Sequence, residues 1–235
     1  AGMSWVAILW PEGMRPVVAT PSTGVPTLSG RAGVTTLSDG STLSFGTGVA
    51  SGGAISVAAL TGTGGGAASN VTVNTTGTFA ASGSVGTDIG TVTVTESGGT
   101  TFSSTVDATT VTLTSTTGAV TFSGALTAGT LNTAAQGYSV ALNGGATVTN
   151  AVTFSNTGGV TLGNDAGDTT TFTGGVTSTA STTTVAGSVA ATDNALEFGT
   201  VVVSAVDTSL VSGTGTLTLG AVTITDDADG TTLTL

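Results

Sequence analysis

Apolar residues recur at every second position in short runs separated by glycine. The pairs are Val71/Val73, Val120/Phe122, Val140/Leu142, Val152/Phe154, Val160/Leu162, Val201/Val203, Leu217/Leu219, Val222/Ile224 and Leu233/Leu235. A period of two sends alternate side chains to opposite faces of a strand, so valines enter a core while the threonines between them face water and keep their β-propensity. Runs such as Thr91-Val92-Thr93-Val94-Thr95 and Thr110-Val111-Thr112-Leu113-Thr114 are the purest cases. No window places apolar residues at i, i+3, i+4 and i+7, and glycine seldom leaves ten residues uninterrupted, so essentially no helix is expected. The strands read as three to five residues long.

A looser module is laid over this alternation: a Thr-Phe pair, a small turn, then Val/Leu strands. Phe79, Phe102 and Phe122 stand roughly twenty residues apart and Phe154 and Phe172 roughly eighteen, the length of one solenoid coil. Ser97-Gly98-Gly99, Asn143-Gly144-Gly145, Asn156-Thr157-Gly158-Gly159 and Thr173-Gly174-Gly175 supply corners where positive φ is tolerated. Short strands and tight corners at a fixed repeat predict an all-β chain wound as a parallel β-helix. The alternative is a β-sandwich of hairpins, in which the N-terminal segment completes a neighbour's sheet as in donor-strand pilins.

All four prolines, Pro11, Pro16, Pro21 and Pro26, fall in the first 26 residues, with both tryptophans and the apolar run Trp5-Val6-Ala7-Ile8-Leu9-Trp10. Proline cannot donate to a ladder, so residues 1–33 read as an arm or cap and 34–235 as the solenoid. The apolar run is too short to span a bilayer and lacks the basic start of a signal peptide, and a processed N-terminus is expected. Nor does any later stretch have the apolar length of a membrane helix. An outer-membrane β-barrel would need longer strands and aromatic girdles, for which the sequence shows no pattern.

Charge and chemistry narrow the function. The chain carries 13 acids against two cations, Arg15 and Arg31, a formal net charge of −11, and contains no histidine, lysine or cysteine. Phosphates and anionic headgroups would meet almost nothing to neutralise them, so nucleic acid is not an expected partner. Ser–His–Asp, Ser–Lys and thiolate or imidazole zinc chemistry lack their parts, and no enzyme is expected. Paired acids such as Asp165 and Asp168 could in principle hydrolyse a glycoside on a β-helix, but sugar clefts also want aromatic platforms and basic helpers. The run Gly62-Thr63-Gly64-Gly65-Gly66-Ala67 spells a dinucleotide fingerprint, yet Ser69-Asn70-Val71-Thr72-Val73 behind it reads as a strand where the fingerprint needs a helix.

Oxygen-rich turns are the remaining chemical candidates. Asp226, Asp227 and Asp229 with Gly230 put three carboxylates around one turn, a loop that calcium favours, and Asn164-Asp165-Ala166-Gly167-Asp168 faintly resembles a calcium-binding β-roll turn. Calcium is therefore the one cofactor considered. Both turns also suit plain solvated acidic corners.

Val120-Thr121-Phe122-Ser123-Gly124-Ala125-Leu126-Thr127 and Thr171-Phe172-Thr173-Gly174-Gly175-Val176-Thr177 resemble the β-strand repeats of autotransporter passenger domains and filamentous-haemagglutinin-like surface proteins, over roughly residues 70–235. The resemblance implies a right-handed parallel β-helix on a bacterial or archaeal cell surface, serving as adhesin or filament with a glycan or host-surface ligand. The closing run Thr231-Thr232-Leu233-Thr234-Leu235 stops within a strand pattern, and an open solenoid end presents unpaired backbone groups. Head-to-tail or donated-strand homopolymers are the expected assembly, with Trp5, Val6, Ile8, Leu9 and Trp10 as the junction.

Overall fold

The computed structural model describes residues 28–29, 33–46, 53–204, 207–225 and 230–235. Among them there is no helix, and every strand pairing is parallel. Parallel neighbours one coil apart make a β-solenoid of about nine turns, and they rule out the antiparallel hairpins of the β-sandwich alternative. The pilin-like sandwich is thereby replaced by the solenoid as the fold of the described residues.

One sheet of ten strands runs the length of the rod, from Leu28–Ser29 to Val222–Ile224. Its register keeps like on like: Thr100, Val120, Val140 and Val160 pair in succession, each twenty residues after the last. A second sheet of thirteen strands forms the next side, from Val34–Leu37 to Leu233–Thr234. The third side begins as Thr42–Phe45, Ser69–Asn74 and Ile89–Ser97, which pair in turn and join the second sheet at Val106–Thr116. Further along, a separate four-stranded sheet takes over that side, made of Val152–Thr153, Val176–Ser178, Leu196–Phe198 and Leu217–Leu219.

The alternation behaves as its period demands. In Ser69–Asn74 the residues are buried and half-buried in strict turn, and Val71, Val73, Val92, Val94, Val111 and Val120 are fully enclosed. Each buried rung is covered by the rungs above and below, so a single coil would leave its apolar side chains wet and could not offset its ordering entropy. At roughly 4.8 Å per coil, ten strands make a rod on the order of 50 Å long.

Two expectations are corrected. Strands are not uniformly short: Ile89–Ser97 has nine residues, Val106–Thr116 eleven and Leu126–Thr133 eight. The phenylalanine spacing is not a simple coil marker either. Phe102 pairs with Phe122, whereas Phe79 pairs with Thr100, two residues out of step. Phe79 still reaches Phe102 because the rings lean across the core, 6.0 Å apart, before the stacked pair Phe102–Phe122 at 4.9 Å. Phe172 belongs to the second sheet opposite Val148, while Phe154 donates its backbone N–H to Thr177 on the third side, so their edge-on contact crosses the core between faces. Leu28–Ser29, within the segment read as an arm, pairs with Ile55–Val57 as the first strand of the ten-stranded sheet.

Candidate functional site

The anticipated junction residues Trp5, Val6, Ile8, Leu9 and Trp10, and the acidic turn of Asp226, Asp227 and Asp229, lie outside the described residues. The strands flanking that turn are described: Val222–Ile224 pairs with Val201–Val203, and Leu233–Thr234 with the start of Thr208–Val211.

The second oxygen-rich turn is fully placed. Asp168 sits at the start of Thr169–Phe172, and its Oδ2 accepts the backbone N–H groups of Asn164 at 2.8 Å and Asp165 at 2.9 Å. Asp165 Oδ1 accepts from Gly167 N–H at 3.1 Å, closing a tight loop on itself. These carboxylates organise their own corner, because a short connection leaves three donors without ladder partners. Among the described residues no group of three or more acids is gathered around a metal-sized space. The glycine run behaves as the strand reading requires: Ser69–Asn74 follows it, and no helix N-terminus faces a phosphate.

Corners elsewhere are tied between coils by side chains. Asp193 adopts a left-handed backbone, φ 56°, and its Oδ1 accepts both the backbone N–H and the hydroxyl of Thr214 on the next coil, at 2.9 and 3.0 Å. Those bonds hold its carboxyl below the usual aspartate range. Tyr138 is buried, with its hydroxyl donating to the Leu113 carbonyl and accepting from Ala134 N–H, both at 2.9 Å; burial pushes its phenol up.

A shallow groove of about 410 Å³ follows the corner between the second and third sides. Its floor is small, Ala108, Ala128 and Gly129, and two acids, Asp88 and Asp107, stand at one end. Composition gave no reason to single these acids out. The local signal was Asp88 beside Ile89, where the chain takes left-handed φ at both Thr87 and Asp88 to turn the corner. Two carboxylates with no base, cation or aromatic platform beside them offer little chemistry beyond weak polar contact.

The clearest departure from a finished core is at the last coil. Val222 is 41% exposed, Ile224 47% and Leu235 70%, although they extend columns whose preceding members, Val201, Val203 and Leu210, are 0% exposed. Among the described residues nothing pairs with the outer edges of Leu217–Leu219, Val222–Ile224 or Leu233–Thr234. At the opposite end Val34 is 65% exposed, on the first strand of the second sheet. Val34 stands in the outward column opposite Ala59, while the inward Leu37 and Phe45 at that end are buried, so exposed core side chains beside open ladders mark the coil of Val222–Ile224 and Leu233–Thr234, the arrangement that invites addition of another strand. The sequence pointed to Leu235 through the closing run but could not mark Val222 and Ile224, since Val222-Thr223-Ile224 has the same apolar-Thr/Val-apolar form as buried Val201-Val202-Val203.

No protein-family model matches the chain, and neither a curated protein nor a solved structure shows significant similarity to it.

Proposed function

We propose that the protein is structural: a β-solenoid subunit, or a segment of a longer rod, in an extracellular filament, adhesin or surface layer of a bacterial or archaeal cell, acting through self-association. The observation that carries this reading is the exposed apolar rung Val222, Ile224 and Leu235 beside unpaired strand edges. Covering such a rung with another coil of the same pattern would bury apolar area worth about 25 cal/mol per Å² and complete the open ladders. A contact of one edge with the opposite edge of the next copy does not close, so it propagates as a filament. Chemistry supports the same conclusion from another side, since histidine, lysine and cysteine are absent from the whole chain.

The test is concentration-dependent association of the purified chain, followed by sedimentation velocity and electron microscopy. Elongated end-to-end species are expected, and Val222→Asp with Ile224→Asp should abolish them while the far-ultraviolet β signal remains. A chain that stays monomeric at every concentration, or polymers indifferent to both substitutions, would overturn the proposal.

A further inference from the structure

The third side of the early coils carries an unusual surface. Two columns of outward side chains run up it in register: Thr42, Asn70, Thr91, Thr110 and Thr130 in one, Ser44, Thr72, Thr93, Thr112 and Asn132 in the other. All ten carry a hydroxyl or an amide, and none of the chain's 13 acids falls in either column. In a molecule of net charge −11 this is a neutral strip, with Glu96 standing outside it opposite Asn74. The later coils have no counterpart: their third side offers one column, Thr153, Thr177, Glu197 and Thr218, interrupted by an acid.

The strip is rigid for identifiable reasons. Behind it Val71, Val73, Val92, Val94, Val111 and Leu113 are enclosed, and the backbone groups between the columns are engaged in the parallel ladder. Threonine is β-branched, so each χ1 is restricted and methyl and hydroxyl hold set positions. The hydroxyls are available: among the described residues, those of Thr72, Thr91, Thr93 and Thr110 have no hydrogen bond to protein, while Thr112 and Thr130 accept from Asn132 and Asn150. The grid repeats at roughly 4.8 Å between coils and at about 6.7 Å between alternate residues of one strand.

An uncharged, two-dimensional grid of hydroxyls and amides, with a methyl at its seven threonines, fits a partner that is itself neutral and periodic in two directions. A sugar polymer is periodic too, but sugar rings are gripped by aromatic faces, and the aromatic residues among the described ones, seven phenylalanines and Tyr138, are all buried. Ordered water needs no such platform. Hexagonal ice presents oxygen atoms on its prism face at repeats close to both grid spacings, and the strip can seat them with hydroxyls as anchors and methyls between. We infer that this threonine face binds ice, holding the rod against a crystal of frozen water independently of any end-to-end association.

The experiment uses the full chain with fluorescent label, frozen slowly against a cold finger, with the gap between freezing and melting temperatures measured in parallel. The protein is expected to enter the ice fraction and to open that gap. Thr93→Lys with Thr112→Lys should remove both effects, whereas Thr121→Lys with Thr161→Lys, outward on the ten-stranded sheet, should leave them unchanged. Should the paired lysines unfold the chain, Thr93→Tyr with Thr112→Tyr keeps high β-propensity and breaks the flat face, and must give the same loss. Wild-type protein left in the liquid, or array variants equal to wild type with intact melting curves, overturns the inference. Retention on crystalline cellulose or chitin through these threonines without an ice effect would assign the face to a polysaccharide and overturn it as well. A lateral dimer abolished by the same substitutions, again without an ice effect, would do so too.

Discussion

On the second and third sides, the solenoid between Ile89 and Thr133 is built from strands of nine, eleven and eight residues, whereas from Ala146 to Leu219 those sides are cut into strands of two to four. Backbone conformation explains the contrast. Between Gly99 and Gly145 no residue has positive φ, while among the described residues from Gly145 to Gly213 there are eight: Gly145, Gly159, Gly163, Gly175, Gly187, Asp193, Asp207 and Gly213. Where the chain bends without left-handed residues, as at Ala108-Thr109 and Gly129, the ladder continues around the corner and one strand serves two sides. Where a left-handed residue intervenes, the ladder stops and side chains such as Asp193, Asn150 and Asn194 tie the coils instead. Long strands thus make broad flat faces, and short strands make faceted corners.

The largest expected effect tests whether the long-strand block is the stability core. Phe122→Ala empties a fully buried site stacked on Phe102 and should cost about 3–5 kcal/mol. Phe198→Ala in the short-strand block, equally buried, should cost less if neighbouring coils there yield more easily; guanidinium melts of both variants decide, and equal losses would dissolve the distinction. The corners come next. At Gly145, φ is 74° and a Cβ would strike the Thr169 carbonyl, so Gly145→Ala should cost about 1–3 kcal/mol by thermal melting. Gly129 has no left-handed φ, but its Cβ would meet the Thr109 carbonyl at 2.7 Å, so Gly129→Ala separates crowding from strain.

Tyr138 lies where the two regimes meet. Tyr138→Phe removes the hydroxyl shared by Ala134 N–H and the Leu113 carbonyl, which still bond each other at 2.9 Å, so a loss of only about 0.5–1.5 kcal/mol is expected in chemical denaturation. The smallest effect is the pH response of the stitched corners. Asp193 has a depressed folded-state pKa, so its contribution is present above the ordinary aspartate value and lost as pH falls through the folded one. Wild type should lose slightly more melting temperature than Asp193→Asn on acidification below about pH 4, the region of the ordinary carboxylate pKa. Identical acid profiles would show that this surface tie adds nothing.

Much of the fold was legible. Strict alternation in Ser69–Asn74 and Val120–Phe122 identified the buried face residue by residue, because a strand has only two faces and the apolar one must be covered. Candidate sites were harder to read. Asp165 and Asp168 spelled an oxygen-rich turn, and the structure adds that their oxygens close the loop itself, a use that depends on which backbone donors a corner leaves unpaired. The phenylalanine rhythm misled in detail because ring contacts reach across the core between faces, while register counts residues along one face.

By itself the sequence determined that this chain forms strands, that valine, leucine and phenylalanine point inward, and that it carries no histidine, lysine or cysteine: these follow from local period and from residue content. The tertiary structure alone decided which threonines align into two neutral columns, which corners break the ladder, and which of two near-identical rungs is buried. Val201 and Val222 have the same kind of neighbours in sequence and opposite exposure, because burial in a solenoid is conferred by the coil above and the coil below.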